Sequence, residues 1–346
     1  MTIKYGKSFK DIINIKQSFF KENDKFLNRQ NYVGKVYSKQ PKRKLCKACE
    51  EKLSKEFIIS HNVKYTICKK CSHLNGLYED SDFFCNIVYN HSAGQNYADR
   101  YFSKNLKSFN ARKNSIYDPK AKFLVQSLGT KCKKMKILDV GAGSGYLLSS
   151  FLDLKFKDVE AIEPSEKQVN FGKKVLSKQG YNENLIKKVD IDQTLDYVKQ
   201  TKSKIITMIG VLEHLNYPRE MLSTIKKNKN IQYIFLSVPL YSLSVLIESC
   251  FQNIHNRHLG GSHTHLFTEK SLKRLLKSFG FISLSEWWFG TDFMDLMRAI
   301  HVTNDKKKNN LFLNKLSEIY ELVDDFQKIL DQNKLSSEVH IVFKRK

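Results

Sequence analysis

The stretch from residue 135 to residue 240 alternates short apolar runs with helical patterns, and this alternation constrains the fold more than any other feature. Each run is too short for a helix and rich in β-branched residues; they are Met135–Val140, Val159–Ile162, Ile205–Ile209 and Ile231–Val238. Strands that alternate with helices form βαβ units, which build a parallel sheet. The pattern therefore predicts an α/β fold whose ligands bind beyond the carboxyl ends of the strands.

Two of the helical patterns have clear ends. Ser165 and Gln168 predict a capping box at the start of a helix that Gly180 ends. Thr268 begins a second helix, which Gly280 stops. A further helical pattern at 119–128 precedes the first strand, and a strand-like run, Val339–Phe343, stands near the end of the chain.

The first apolar run leads directly into a glycine-rich loop, DVGAGSG, at residues 139–145. The loop differs from the nicotinamide dinucleotide pattern, because Tyr146 stands where that pattern has its third glycine. An acidic residue, Asp139, stands two positions before the first glycine, and Glu163 ends the next run. A carboxylate at that second place can accept hydrogen bonds from both ribose hydroxyls of a nucleoside.

Two Cys-x-x-Cys pairs precede this region: Cys46 with Cys49, and Cys68 with Cys71. The 18 residues between the pairs fit the spacing of a four-cysteine zinc site, in which four thiolates close the coordination sphere and make the metal structural. Four unrelated reduced cysteines, or a redox pair, are the alternatives. The odd total of seven cysteines argues against a disulfide framework. His73 is not expected to be a ligand beside four thiolates.

Several motifs together resemble the class I S-adenosylmethionine (SAM)-dependent methyltransferases. Over residues 115–285 they follow the order of that family: DVGAGSG, VEAIEPSE, ITMIGVLEHLNYP, YIFLSVPL and HLFTEKSLKRLLKSFGF. The resemblance implies a Rossmann-like, doubly wound sheet that binds SAM. The cofactor-binding residues that it implies are Asp139, Gly141, Gly143, Gly145, Glu163 and Val211. Among them Glu163 would hold the ribose and Val211 would lie near the sulfonium. An adenine-binding acid stays open between Asp190 and Asp192.

A cysteine element before a SAM domain resembles the sugar C-methyltransferases that carry an N-terminal zinc-binding domain. That resemblance implies catalytic roles for Glu213 and His214 and for Tyr89, with Tyr97 and Tyr101 as alternatives to Tyr89. It also implies a sugar acceptor, free or nucleotide-linked, or a precursor of a cell-surface polysaccharide. The region after residue 285 is too short for that family's second nucleotide-binding domain, so oxygen and nitrogen methylation stay open beside carbon methylation.

The pair Glu213-His214 follows the third apolar run, where the sulfonium should point. Methyl transfer requires an aligned nucleophile and the removal of any proton that the nucleophile loses. Since histidine titrates near neutral pH, His214 can act as the base. The alternatives are that the pair only positions its loop, or that it binds a metal.

The stretch 255–267 contains His255, His258, His263 and His265 around two glycines. It is expected to be a flexible cover over the substrate with solvated histidines. Alternatively one or two histidines contact the acceptor, or form a second metal site, for which no neighbouring carboxylate or cysteine is evident. The aromatic cluster 287–289 is expected in the core, with stacking on a ligand as the alternative.

The net charge is +24, from 59 Lys and Arg against 35 Asp and Glu, and the lysines are scattered along the chain. Most of this charge is expected to form a solvated surface that steers phosphates only mildly. The expected acceptor is a small molecule that carries a phosphate. A nucleic-acid methyltransferase is the alternative function. It is disfavoured because the Asn/Asp-Pro-Pro-Tyr/Phe motif and a cysteine nucleophile are both absent after the third run.

The predicted organisation is an N-terminal arm (1–44), a cysteine element (45–85), a connecting segment (86–130), a SAM domain (131–285) and C-terminal helices with a final strand (286–346). No run approaches the roughly 18 apolar residues of a membrane span, and the N-terminus lacks a signal-like apolar segment. The expected compartment is therefore the cytoplasm. The sequence leaves the oligomeric state open.

Overall fold

The computed structural model describes residues 2–8, 21–85, 87–88, 105–260, 263–306, 316 and 318–346.

The main sheet has eight strands: β1 (Thr2–Tyr5), β5 (Ile137–Val140), β6 (Val159–Glu163), β7 (Ile186–Lys188), β8 (Ile205–Ile209), β9 (Tyr233–Pro239), β11 (Phe281–Phe289) and β12 (Glu338–Arg345). Their order across the sheet is β1-β11-β12-β9-β8-β5-β6-β7. Strands β5 to β9 run parallel to one another, and β12 is antiparallel to both of its neighbours, β9 and β11. The predicted Rossmann-like sheet is confirmed.

Helices cover both faces of this sheet. One core cluster packs strand residues such as Leu138 and Ile206 against three helices, and the other packs Ile137 and Ile205 against three more. Side chains of successive strand residues point to opposite faces of the sheet, so each central strand contributes residues to the core on both faces. The helices on the first face are α6 (Thr194–Gln200), α7 (Pro218–Lys227) and α9 (Glu269–Ser278); those on the second are α3 (Asp118–Leu128), α4 (Tyr146–Asp153) and α5 (Glu166–Lys178).

Both ends of the chain extend the sheet. Strand β12 lies between β9 and β11, and β1 pairs in parallel with β11 along the outer edge. Trp287 of β11 fixes this edge, because its indole N–H donates to the carbonyl oxygen of Gly6 at 2.8 Å, and Nζ of Lys4 lies 3.7 Å from the centre of its ring. The aromatic cluster 287–289 is buried in the core, as expected.

The cysteine unit, residues 45–85, forms most of a second, antiparallel sheet. Its strands are β2 (Ile58–Ser60), β3 (Val63–Ile67), β4 (Leu74–Gly76) and β10 (His265–Leu266), in the order β10-β4-β3-β2. Because β10 comes from the chain after the main sheet's β9, the small sheet joins the cysteine unit to the rest of the protein by backbone hydrogen bonds. The one-turn helix Asp82–Cys85 ends this unit.

The remaining helices link these two sheets and cover the C-terminal region. They are α1 (Asn23–Tyr37), α2 (Leu106–Arg112), α8 (Leu243–Cys250), α10 (Asp292–Lys306) and α11 (Val323–Gln332). Side-chain Nε2 of Gln30 in α1 donates to the carbonyl oxygens of Asn256 and Leu259, so the N-terminal arm holds the histidine-rich stretch in place. Among the helices in the described ranges, none has the length and hydropathy to cross a bilayer.

The helix predicted after Ser165 forms, but its capping box does not. Ser165 makes no side-chain capping bond. Gln168 instead accepts a 2.8 Å hydrogen bond from the hydroxyl of Ser144 in the glycine loop. The capping-box prediction is therefore wrong, because the Gln168 side chain bonds to Ser144 in the glycine loop and not to the backbone of Ser165. At the second helix Thr268 does form a capping box, with Ser271 as the reciprocal residue.

Candidate active site

The glycine loop connects β5 to α4 at the carboxyl end of the sheet. Gly141, Gly143 and Gly145 have φ values of 68°, 57° and 76°, a left-handed conformation that favours glycine. A Cβ on Gly141 would lie 2.6 Å from Cγ2 of Val211, which is too close for a normal contact. Only glycine therefore allows the loop to lie this near the segment after β8. The structure thus brings Val211 against the first glycine of the loop.

Glu163 connects the loop to the next strand. Its Oε2 accepts a 2.9 Å hydrogen bond from the backbone N–H of Gly143, and its Oε1 accepts one of 3.0 Å from that of Ser165. Each carboxylate oxygen keeps a further lone pair. Burial raises the pKa of Glu163, while the two backbone hydrogen bonds act in the opposite direction.

Asp139 is buried at the end of β5 and accepts a hydrogen bond from the hydroxyl of Thr207 in β8. Burial raises its pKa to about 7, and the nearby Glu163 adds to the effect. Asp190 and Asp192, by contrast, are both exposed on the segment after β7.

Glu213 and His214 lie in a short 3-10 turn, Leu212–His214, after β8. The Glu213 side chain is only 3% exposed, and Oε2 has no hydrogen-bond partner among the described residues. Burial raises the pKa of Glu213 to about 8; Glu338 raises it further and Lys120 lowers it. Nε2 of His214 lies 3.9 Å from Oε1 of Glu213.

Three further residues lie beside Glu213 and His214. The sequence analysis did not connect any of them with this pair. The ring of His263 is 4.8 Å from that of His214, centre to centre. On another side, Nζ of the buried Lys120 lies 3.9 Å from Oε1 of Glu338 at the start of β12. Lys120 and Glu338 stand in no motif, so their presence here follows only from the placement of α3 and β12 against the sheet.

The histidine-rich stretch is mostly buried, so the expectation of solvated histidines is wrong. His255 contacts the guanidinium of Arg298, His258 contacts Glu248, and His265 contacts His73, each through a ring nitrogen. These partners come from distant parts of the chain, and no sequence pattern indicates them. Both ring nitrogens of His73 therefore have partners other than the four sulfurs, since Nδ1 lies 3.3 Å from the hydroxyl of Ser271.

The four predicted cysteines converge. Sγ of Cys46 is 3.6 Å from that of Cys71, Sγ of Cys49 is 3.6 Å from that of Cys68, and all four sulfurs lie within 4.8 Å of one another. A tetrahedron with metal–sulfur bonds of about 2.3 Å has edges of about 3.8 Å. The four donors therefore fit a zinc ion.

The two halves of this cluster have the same backbone geometry. The N–H of Glu50 donates to the carbonyl of Cys46, and that of Ser72 to the carbonyl of Cys68, both at 2.8 Å. Glu50 and Ser72 are both left-handed, with φ of 58° and 62°. Each turn directs two sulfurs to one point, as the spacing predicts.

A small cleft lies where the cysteine unit meets the segment after β8; we call it the junction cleft. Residues from both sides line it: Asp80, Phe84, Cys85, Glu213, His214, Asn216 and Thr264. Sγ of Cys85 lies 2.9 Å from Oδ1 of Asn216 across it. Tyr89, Tyr97 and Tyr101, the tyrosine candidates, lie outside the described residues.

Residues 109–305, more than half of the chain, match a family model described as a methyltransferase domain. The chain belongs to this methyltransferase family. The matched range contains the glycine loop, Glu163, the Glu213–His214 pair and His263. The prediction of a SAM-dependent methyltransferase is confirmed.

Solved structures of other methyltransferases are similar to this one. The magnesium protoporphyrin IX methyltransferase of Synechocystis PCC 6803 shares 13% identity, with a TM-score of 0.48 over 77% of this chain and 100% of that chain. A SAM-dependent methyltransferase from Archaeoglobus fulgidus shares 16%, with a TM-score of 0.43 over 69% and 97%. No curated protein matches the chain. The likenesses concern the fold, so the acceptor of this methyltransferase has to be argued from its own residues.

Proposed function

We propose that this methyltransferase transfers a methyl group from SAM to a small, hydroxyl-rich acceptor whose reacting group reaches the junction cleft, and that the acceptor is a sugar, free or nucleotide-linked. The cleft itself has a volume of about 10 Å³, room for one water-sized group. The observation that carries the proposal is the composition of the cleft, where Asp80, Glu213, His214, Asn216 and Thr264 offer polar atoms from both units. Polar groups placed in this way fix the orientation of a ligand that has several hydroxyls.

The donor would lie along the carboxyl ends of β5, β6 and β8. Gly141 and Gly143 would admit its methionine part beside Asp139, and Glu163 would accept the ribose hydroxyls with its remaining lone pairs. Gly145 completes the loop. Val211, which contacts the Gly141 backbone, would stand between the sulfonium and the Glu213–His214 pair. Bound SAM supplies an electrophilic methyl group, and these residues orient it.

Glu213 and His214 would act on the acceptor's proton at the far side of the methyl group. Tyr89 would join them from the cysteine-unit side, as the resemblance implies. Zn²⁺ held by Cys46, Cys49, Cys68 and Cys71 would be structural, because four thiolates leave no open coordination position.

A groove beside the junction cleft fits an acceptor that carries a phosphate. It shares Asn216 with the cleft. Its lining includes five cations, Lys42, Arg43, Lys44, Lys47 and Arg219, and three carboxylates, Glu50, Glu79 and Glu220. Arg43 is paired with Glu79 and Asp80, and Arg219 with Glu50. No acidic side chain of the described residues pairs with Lys42 or Lys44, which could together bind one phosphate group. A groove with so many internal ion pairs favours one small anion over a nucleic-acid backbone.

Turnover assays with purified protein test this proposal. We expect release of S-adenosylhomocysteine with SAM and a panel of nucleotide-linked keto-sugars and amino-sugars, and none with RNA or DNA oligonucleotides. Lys42→Ala together with Lys44→Ala should raise KM for a phosphate-bearing acceptor with little change in kcat. Methylation of oligonucleotides without turnover on any sugar would contradict the proposal.

A further inference from the structure

We propose that Glu213, His214 and His263 together bind a divalent transition-metal cation at the junction cleft. The inference rests on the proposed function and specifies how Glu213 and His214 act there: as metal ligands beside the acceptor. His214 would then be a ligand and not itself the proton acceptor. We call the three residues the histidine–carboxylate cluster.

The cluster has the donor set and the dimensions of a metal site. One ligand atom from each residue lies within 4.8 Å of the other two. Ligands about 2.1 Å from an ion can be at most about 4.2 Å apart, so a small contraction closes the site. Two imidazoles and one carboxylate suit divalent first-row metals such as Mn²⁺, Fe²⁺ or Zn²⁺.

The carboxylate needs a cation. Glu213 is 3% exposed, and its Oε2 has no hydrogen-bond partner among the described residues. A buried carboxylate without a partner either takes up a proton or is offset by a charged group or a metal ion. Asp80 lines the same cleft, and its Oδ1 is also buried without a partner in the described ranges. Oδ2 of Asp80 is already paired with Arg43 and Lys47, so a cation in the cluster would offset chiefly Glu213.

The hydrogen bond of His263 prepares it as a ligand. Its Nδ1 lies 3.1 Å from the carbonyl oxygen of His258. A carbonyl only accepts, so Nδ1 carries the proton and Nε2 presents its lone pair. Histidines that ligate metals usually donate their other ring N–H in this way. The backbone at His258 is itself held in place, because the carboxylate of Glu248 accepts hydrogen bonds from the backbone N–H groups of Arg257 and His258.

Three protein ligands leave coordination positions open. A four-coordinate ion keeps one position for a water or a substrate atom, and the cleft lies beside it. An acceptor oxygen can fill that position. A bound cation lowers the pKa of such an oxygen, so a hydroxyl acceptor would release its proton to solvent water near neutral pH. This extends the proposed acceptor class to molecules that present a metal-binding hydroxyl or carbonyl.

Titration with Mn²⁺ tests the inference. Protein with zinc on its four cysteines is used, since thiolates favour soft ions and Mn²⁺ favours nitrogen and oxygen ligands. Electron paramagnetic resonance of free Mn²⁺ should show about one bound ion per chain. Glu213→Gln and His263→Gln should each weaken binding at least about tenfold, because even changes to outer-shell partners of a metal cost about 10–100-fold. Glu220→Gln and His301→Gln are matched controls outside the cluster and should bind Mn²⁺ like the wild type.

Calorimetry with SAM on the same preparations separates the two proposals. Wild-type protein that binds SAM but no Mn²⁺ overturns the metal site and leaves the proposed function standing. Mn²⁺ affinity that is unchanged in both cluster variants does the same. Wild-type protein that binds Mn²⁺ through the cluster but not SAM overturns the proposed function instead. If one variant loses SAM binding through misfolding, the other variant decides.

Discussion

Nζ of Lys47 donates a 3.2 Å hydrogen bond to the carbonyl oxygen of Leu215, the residue after His214. Lys47 stands between the first two cysteines of the cysteine unit, and its side chain is 3% exposed and paired with Asp80. Arg219 adds a second link, since its guanidinium donates to the carbonyl of Ala48 at 3.1 Å. The cysteine unit therefore holds the segment that carries Glu213 and His214.

This link predicts a selective effect of Lys47→Met. The change keeps an apolar stem of similar length but removes the charge and the hydrogen bond to Leu215. Acceptor turnover should fall roughly tenfold or more, because a misplaced catalytic group loses much of its effect. SAM affinity should stay near wild type in calorimetry. Lys69→Met, whose side chain is 73% exposed, is the control and should change neither value. Equal loss of SAM binding and turnover would contradict a positioning role.

Removal of the zinc should act through the same link. We expect about one zinc per chain by elemental analysis, and loss of that zinc in Cys68→Ser. Binding energy of a structural zinc is largely folding energy, so this variant should lose the structure of the cysteine unit. Cys132→Ser, a buried cysteine outside the cluster, is the matched control and should keep its zinc. Zinc-free wild-type protein prepared without chelators would disprove the site.

The sequence predicted best those features that depend on residue type and on spacing within a short segment of the chain. Glycines with positive φ at 141, 143 and 145 and four thiols at fixed spacing are of this kind, and the structure brings each set together. The central strands were also predictable, because runs buried on both faces are apolar throughout.

Tertiary partners explain what the sequence could not show. His263 and Glu213 are 50 positions apart in the chain, and only the pairing of β10 with β4 brings the histidine to the cleft. Lys120 and Glu338 meet for a similar reason, across α3 and β12. The edge strand β1 has no distinctive pattern, since its four residues pair with β11 by backbone contacts.

SAM affinity should depend strongly on Glu163. Glu163→Ala removes the acceptor of the Gly143 N–H and the proposed ribose contacts, so we expect a loss of about 1.5–3 kcal/mol, the scale of hydrogen bonds to a charged group. Gly143→Val should be at least as harmful, because φ is +57° and a Cβ would lie 3.3 Å from Oε1 of Gln168. Glu166→Ala, an exposed neighbour, is the control. Calorimetry that finds SAM bound equally well by all three variants would mean that the site is misplaced.

The stability of the SAM-free protein should fall as pH rises through the titration range of Asp139. Its folded-state pKa of about 7 lies above the ordinary value of 3.8, so the folded protein binds the proton more tightly than the unfolded chain. The stabilising effect is complete below about pH 4 and is lost progressively up to about pH 7, by at most about 4 kcal/mol. Asp139→Asn cannot titrate, so its melting temperature should vary less over this range. Parallel pH profiles for the two proteins would refute the assignment.

Methyl transfer should depend on Glu213 and His214, whether they take the acceptor's proton or hold a cation that makes it acidic. Both follow β8, beside Val211 and the glycine loop, where the sulfonium is proposed to point. His214→Gln should lower turnover by roughly 10²–10⁴-fold with SAM affinity nearly unchanged, the range for lost acid–base catalysis.

A carbon acceptor next to a keto group should exchange its proton with solvent deuterium in wild-type protein without SAM, and the exchange should fall in the His214→Gln variant. A hydroxyl acceptor would show no exchange at carbon, so mass spectrometry of the recovered acceptor distinguishes carbon from oxygen methylation. Wild-type turnover in both Glu213→Gln and His214→Gln would remove the pair from the reaction.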